Sequence, residues 1–150
     1  MRTLGATCTN NAAFFALMDD ETYVDDELRR IDVADILDEG ERLLELRQRV
    51  LVELQRLKPD AVAIVGSISQ PRSYQVAAER AAVETIIRLA AAELGVSCGI
   101  VSPPTIRKRL GLKRDGPFNK HARAFFDDEH GPQWAERCEA AAVAVAWQRA

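Results

Sequence analysis

No stretch of this 150-residue chain is apolar over the roughly 18 residues that a membrane-crossing helix needs, so none is expected. The opening residues, Met1-Arg2-Thr3-Leu4-Gly5-Ala6-Thr7, lack the basic segment and long apolar core of a secretory signal. They read instead as a first strand, and a cytoplasmic protein is the expectation. There is no internal repeat and no low-complexity tract. Cys8, Cys98 and Cys138 are odd in number and show no CxxC spacing. That argues against zinc and, in a reducing compartment, against a disulfide, leaving buried free thiols. His121 and His130 have no neighbouring Cys/His set and read as surface residues rather than metal ligands.

What remains is the balance of a soluble globular protein, 47% hydrophobic and 29% charged, and a length suited to one domain over residues 1–150. The net charge of −3 conceals an uneven distribution. From Asp19 to Glu45 there are twelve acids against three arginines. From Arg107 to Arg123 there are seven bases against the single acid Asp115. A local basic patch of this kind is what a phosphate backbone attracts.

Residues 2–8 and 12–18 read as strands joined by a Thr9-Asn10-Asn11 turn. Segments 22–24 and 30–33 are weaker strand candidates, and residues 2–33 together read as a three-strand antiparallel meander. Ile36 to Leu57 is amphipathic: Leu43, Leu46, Val50, Leu54 and Leu57 recur at three and four, and Pro59 ends the helix. Ala61-Val62-Ala63-Ile64-Val65 is an unbroken apolar run, the pattern of a parallel strand covered on both faces. An alanine-rich helix is predicted from about Ser73 to Leu94, closed by Gly95. A buried strand over 96–101 follows, then short helices over 104–110 and 119–126 around a basic loop. The final helix is predicted over 132–148, with Trp134 and Trp147 explained by packing alone. This order gives an α/β domain with a mixed sheet flanked by helices.

Three segments carry a family likeness. The first is Thr3-Leu4-Gly5-Ala6-Thr7 leading into Ala12–Met18. The second is Lys58-Pro59-Asp60 followed by the run ending at Val65. The third is Pro104-Thr105-Ile106-Arg107-Lys108, a basic loop, Asn119-Lys120, and then Glu136-x-x-Glu139-Ala140-x-x-Val143-Ala144. In order and spacing the chain resembles the RuvC-like Holliday-junction resolvases, which have an RNase H-like fold. The resemblance implies that fold, affinity for branched or structured DNA or RNA, and a homodimer through the helix at residues 73–94. It also implies a catalytic site at Thr7, Val65, Glu136 and Glu139. The family carries an aspartate at the place of Thr7 and a glutamate at that of Val65. It has two aspartates where Glu136 and Glu139 stand here.

Residues three apart share a helix face, so Glu136 and Glu139 can approach one site together. Two-metal phosphodiester cleavage needs a pair of ions roughly 4 Å apart, held by converging oxygens. Thr7 offers a neutral hydroxyl and Val65 offers nothing. Asp19, Asp20 and Asp60 fall at the wrong strand ends to compensate. Glu136 and Glu139 are thus the metal candidates, for weakly held Mg2+ or for none. The plain alternative makes them solvated acids near a helix N-terminus, where the dipole favours them. Lys120 is the leading phosphate contact, with Arg107, Lys108, Lys113 and Arg114 around it. Phe118 is a candidate for base stacking or for the core. Cys8 and Cys138 are expected near one another, although no base is assigned to activate either. Three functions stay open: a degenerate RuvC-like protein that binds structured nucleic acid, a weak or altered metal-dependent endonuclease, and a protein-interaction or structural module using the acidic half.

Overall fold

The computed structural model describes residues 1–34, 38–66 and 73–150. Its centre is a six-stranded mixed sheet of β1 (Arg2–Cys8), β2 (Ala12–Asp19), β3 (Thr22–Val24), β4 (Arg30–Asp32), β5 (Ala61–Val65) and β6 (Ser97–Val101). The order is β3-β2-β1-β5-β6. β1 pairs antiparallel with β2 and parallel with β5, and β5 pairs parallel with β6. Helices α1 (Glu39–Leu57), α2 (Tyr74–Glu93), α3 (Pro103–Leu110), α4 (Phe118–Phe125) and α5 (Trp134–Gln148) complete it. No described helix is long and apolar enough to cross a membrane.

The expected third strand of the meander is divided in two. β3 pairs with the Leu17–Asp19 end of β2, and β4 with its Ala12–Phe14 end. The acid-rich excursion between them leaves the edge, although Phe15 N–H still reaches the Arg29 carbonyl at 2.9 Å. α1 starts from Asp38, whose carboxylate accepts from Glu41 N–H, and ends at Lys58 in a left-handed conformation just before Pro59. The predicted start at Ile36 lies outside the described residues. α3 begins one residue earlier than predicted, because Ser102 caps it and Pro103 suits its first turn.

Alternation along the strands sorts the side chains onto two faces. Leu4, Ala6 and Cys8 of β1 join Val62 and Ile64 of β5 against α1 and α2, where Leu46, Val50, Leu54, Val83 and Ile87 are buried. Each such aliphatic contributes about 1.5–3 kcal/mol relative to exposure. The opposite face packs Ala16, Met18, Ala63 and Val65 against α5. There the contact is backbone to backbone. A Cβ on Gly5 would lie 1.7 Å from the Ala140 carbonyl oxygen, so only glycine admits the helix at this depth. The alanine run of α5, Ala140 to Ala146, is the matching half of that approach. Trp134 is buried in this layer, and Trp147 packs over Gly99.

Arg137 of α5 is fully buried and bonded on every side. It donates to the carbonyls of Phe15 at 2.8 Å, His130 at 2.5 Å and Pro132 at 3.2 Å, and to Tyr23 Oη at 2.5 Å. Its guanidinium also lies against the Tyr23 and Trp134 rings. It locks α5 to β2 and β3 without a carboxylate partner, because neutral acceptors surround it.

Candidate functional site

The C-terminal ends of β1 and β5 form a rim. β1 and β5 are in register from Thr3↔Ala61 to Ala6↔Ile64, so Thr7 and Val65 follow side by side at the strand ends. By alternation both face α5. Thr7 is 9% exposed and Val65 2%. α5 runs antiparallel to β1: Ala140 sits over Gly5, and Gln148 reaches the Asp20 carbonyl at the other end of the sheet. Its N-terminal half, with Glu136 and Glu139, is therefore carried to the rim. Asp19, Asp20 and Asp60 lie at the opposite end, around the chain's amino group and the Arg2 N–H.

Glu136 is exposed, whereas Glu139 is partly buried and held. Asn119 of α4 donates to Glu139 Oε2 at 3.1 Å, and its amide also reaches the Ala135 carbonyl. Burial pushes the Glu139 carboxyl above its ordinary value, while Asn119 and the charge of Arg80 pull it back down; Glu136 adds to the rise. Arg80 of α2 was not singled out from the sequence, although its i,i+4 spacing to Glu84 was visible there. Its Nε bonds Glu84 Oε1 at 3.2 Å. Immediately before Arg80, Glu79 accepts from Asn10 at 3.3 Å and from Gln75 at 3.1 Å. Among the described residues, no group of three or more histidine, cysteine or carboxylate side chains is arranged to hold a metal ion.

The expected proximity of Cys8 and Cys138 is corrected. Cys8 lies in the core beneath α1 and α2, with Cys98 packed nearby, and Cys138 lies in the α5 core on the other face of the sheet. Their place in the sequence pattern suggested one end of the fold, but strand alternation turns Cys8 away from α5. All three thiols are pushed up by burial, Cys98 to about 11 and Cys138 to about 12, so none is a ready nucleophile.

Beside the rim, α3, α4 and the loop between them form a basic shoulder packed on α5. Arg107 is its internal strut. It donates to the carbonyls of Lys113 and Gly116, both at 2.6 Å, contacts His121 Nδ1 at 2.9 Å, and lies over the Phe118 ring. Phe118 packs partly into the α5 core. Arg109 donates to the Ala146 carbonyl, and Arg123 pairs with Glu129. Lys108, Lys113, Arg114 and Lys120 are exposed, and none has a carboxylate partner among the described residues. Lys108 and Arg114 border an open hollow of about 1150 Å³, together with Pro104, Thr105 and Leu112. Of the five predicted phosphate contacts, four are thus free cations and one holds their loop in shape.

This arrangement has close structural counterparts. The Thermus thermophilus RuvC structure superposes with a TM-score of 0.79 at 18% identity, covering 99% of this chain and 94% of that one. The T. thermophilus RuvC in complex with a Holliday junction substrate gives 0.77 at 18% identity, covering 99% and 93%. The chain has the RuvC fold. The yeast mitochondrial Holliday junction resolvase Ydc2 is more distant, with a TM-score of 0.65 at 9% identity over 98% of this chain and 77% of that one. No protein-family model and no curated protein matches the chain.

Proposed function

We propose that this chain is a catalytically degenerate RuvC-like protein that binds structured DNA or RNA. The observation that carries the reading is the pairing of a neutral rim with a charged shoulder. Thr7 and Val65 stand side by side where a metal-dependent nuclease of this fold needs carboxylates. Lys108, Lys113, Arg114 and Lys120 project unpaired from the shoulder packed on the same helix α5. The donor set of the rim does not fit a pair of divalent ions. A hydroxyl, an aliphatic side chain, an exposed Glu136 and a Glu139 already held by Asn119 do not supply enough converging anionic oxygens. The RuvC–junction complex supports branched DNA as the first ligand to try.

The same reading makes the protein a homodimer through α2. One side of that helix is buried on α1 and β6, while Tyr74 and Leu89 are exposed on the other, and Ile100 is exposed on the edge strand β6. The deciding experiment titrates labelled four-way junction, duplex and single-stranded probes at two salt concentrations, with Mg2+ or Mn2+ present and the products resolved on a gel. Binding that strengthens as salt falls, without cleavage, is the expected result. Cleavage would replace this reading with that of an altered nuclease. Absence of both would leave the protein-interaction role.

A further inference from the structure

The hollow on the shoulder offers more than charge. Arg107, Lys108 and Arg114 stand on its wall against one acid, Asp115, and Pro104 of α3 and Leu112 of the loop add apolar surface. A phosphate backbone alone needs the cations and not the apolar wall. Arg107 decides what the wall can do. Its Nη1 is directed at the Lys113 carbonyl and at His121 Nδ1, and its Nη2 at the Gly116 carbonyl. Little of its fork is left for a phosphate, but its flat faces remain. One face lies over the Phe118 ring, 5.5 Å from the centroid, and Phe118 is itself packed on the α5 core. A guanidinium plane backed by an aromatic ring and held in place by its own hydrogen bonds is a rigid platform for a base.

We infer that this hollow takes an unpaired nucleotide of a single-stranded segment, with its base laid on the Arg107 plane beside Leu112 and Pro104 and its phosphates on Lys108 and Arg114. The inference rests on the reading that the shoulder binds nucleic acid, and it names the form of strand bound there. Within a duplex each base is covered by its neighbours on both faces and paired at its edge, so it presents no face to a recess. The hollow, at about 1150 Å³, has the room for a nucleotide that leaves the stack, since pockets for ligands of that class run from about 300 to 1000 Å³. The shoulder therefore favours a single strand, or the opened part of a branched one, over continuous duplex. Phe118 acts from behind, by fixing the plane on which the base rests.

The test compares two flexible strands of equal charge on the whole chain. One is an oligothymidylate of about twelve nucleotides, and the other is the same backbone with abasic sites throughout. Affinity is read by fluorescence anisotropy at low salt, and the place of binding by NMR. The thymidylate should bind about tenfold more tightly, and only it should shift the Leu112 methyl and Arg107 Nε–H signals. Arg107→Lys keeps the charge and removes the plane, so it should bring thymidylate binding down to the abasic level. Equal binding of the two strands by the wild type would overturn the inference, a result that needs no variant to fold. So would a base preference that leaves the Leu112 signals in place. Thymidine monophosphate binding as tightly as the strand would also overturn it, since the hollow would then be a site for free nucleotides. Equal binding leaves the nucleic-acid reading of the shoulder standing, whereas no binding of any strand or junction removes that reading and this inference with it.

Discussion

Two charged regions lie along α5, and they use their charges differently. At the rim the acids are occupied within the protein: Glu84 pairs with Arg80, while Glu79 and Glu139 accept from the neutral amides of Asn10 and Asn119. At the shoulder Arg107 satisfies the loop's own carbonyls, and four other cations are left facing solvent. Ion pairs closed within a protein leave little potential for a ligand, whereas unpaired cations facing solvent project a field. The difference teaches where this RuvC-fold protein keeps its capacity to act. The acids at the strand ends repel an anion, and the capacity to attract one lies on the flank.

The contrast depends on α5 sitting hard against β1, so the largest expected effect comes from moving it. Gly5→Ala sets a methyl 1.7 Å from the Ala140 carbonyl oxygen, and no side chain can rotate to relieve a clash with backbone. Overpacking normally costs about 1–3 kcal/mol, and a collision with a helix backbone should reach or exceed the upper end. Thermal or urea unfolding measures it. A loss under about 1 kcal/mol would show that α5 shifts freely, and the rim geometry would then lose its anchor.

Next in size is the shoulder. Replacing Lys108, Lys113, Arg114 and Lys120 together by glutamine should weaken junction binding about 100-fold at moderate salt and lower the slope of log K against log salt by roughly three to four. The fold should be unaffected, since all four are exposed. Arg107→Gln sharpens the comparison. It removes one charge like the others, but it also frees the carbonyls of Lys113 and Gly116, so it should loosen the loop as well. A salt slope unchanged in the fourfold variant would move the binding surface away from the shoulder.

The architecture was legible in the sequence wherever periodicity spoke. The β5 run, the α1 stripe and the alanine-rich α2 and α5 all stand where the pattern puts them, within a few residues. The split third strand was less so, because three-residue strands carry too little pattern to separate from turns. Of the candidate site, Thr7 and Val65 were singled out by the family resemblance, and the Glu136/Glu139 face by spacing. The role of Arg107 was not legible, because a guanidinium that folds back on carbonyls and one that projects to solvent look the same in a sequence. Arg137 lies in register with Trp134, Cys138 and Ala141 on the buried stripe, and that was the available sign that it is interior. Arg80 was harder. Its spacing to Glu84 reads as an ordinary exposed helix pair, yet the two side chains are only 26% and 12% exposed.

The smallest expected effect concerns the acid side of the rim. The Glu139 carboxyl is raised chiefly by burial. A folded-state value above the unfolded one means that the native protein holds the proton more tightly. Stability from this group is thus fully present below its ordinary value near 4.5 and is lost as pH rises through the raised folded value. Asp26 behaves in the opposite sense: the Arg56 pair holds it below the usual range, so its contribution is present above the ordinary value and fades as pH falls. Glu139→Gln removes the first dependence and leaves the second. It keeps an oxygen to accept from Asn119, so this link between α4 and α5 persists. At neutral pH the variant should melt about 1–2 °C higher than the wild type, and the gap should close toward pH 4. A gap that widens on acidification, or a variant less stable at pH 7, would mean that the attraction of Asn119 and Arg80 outweighs burial. The rim would then be a region where an ionised carboxylate is welcomed rather than tolerated.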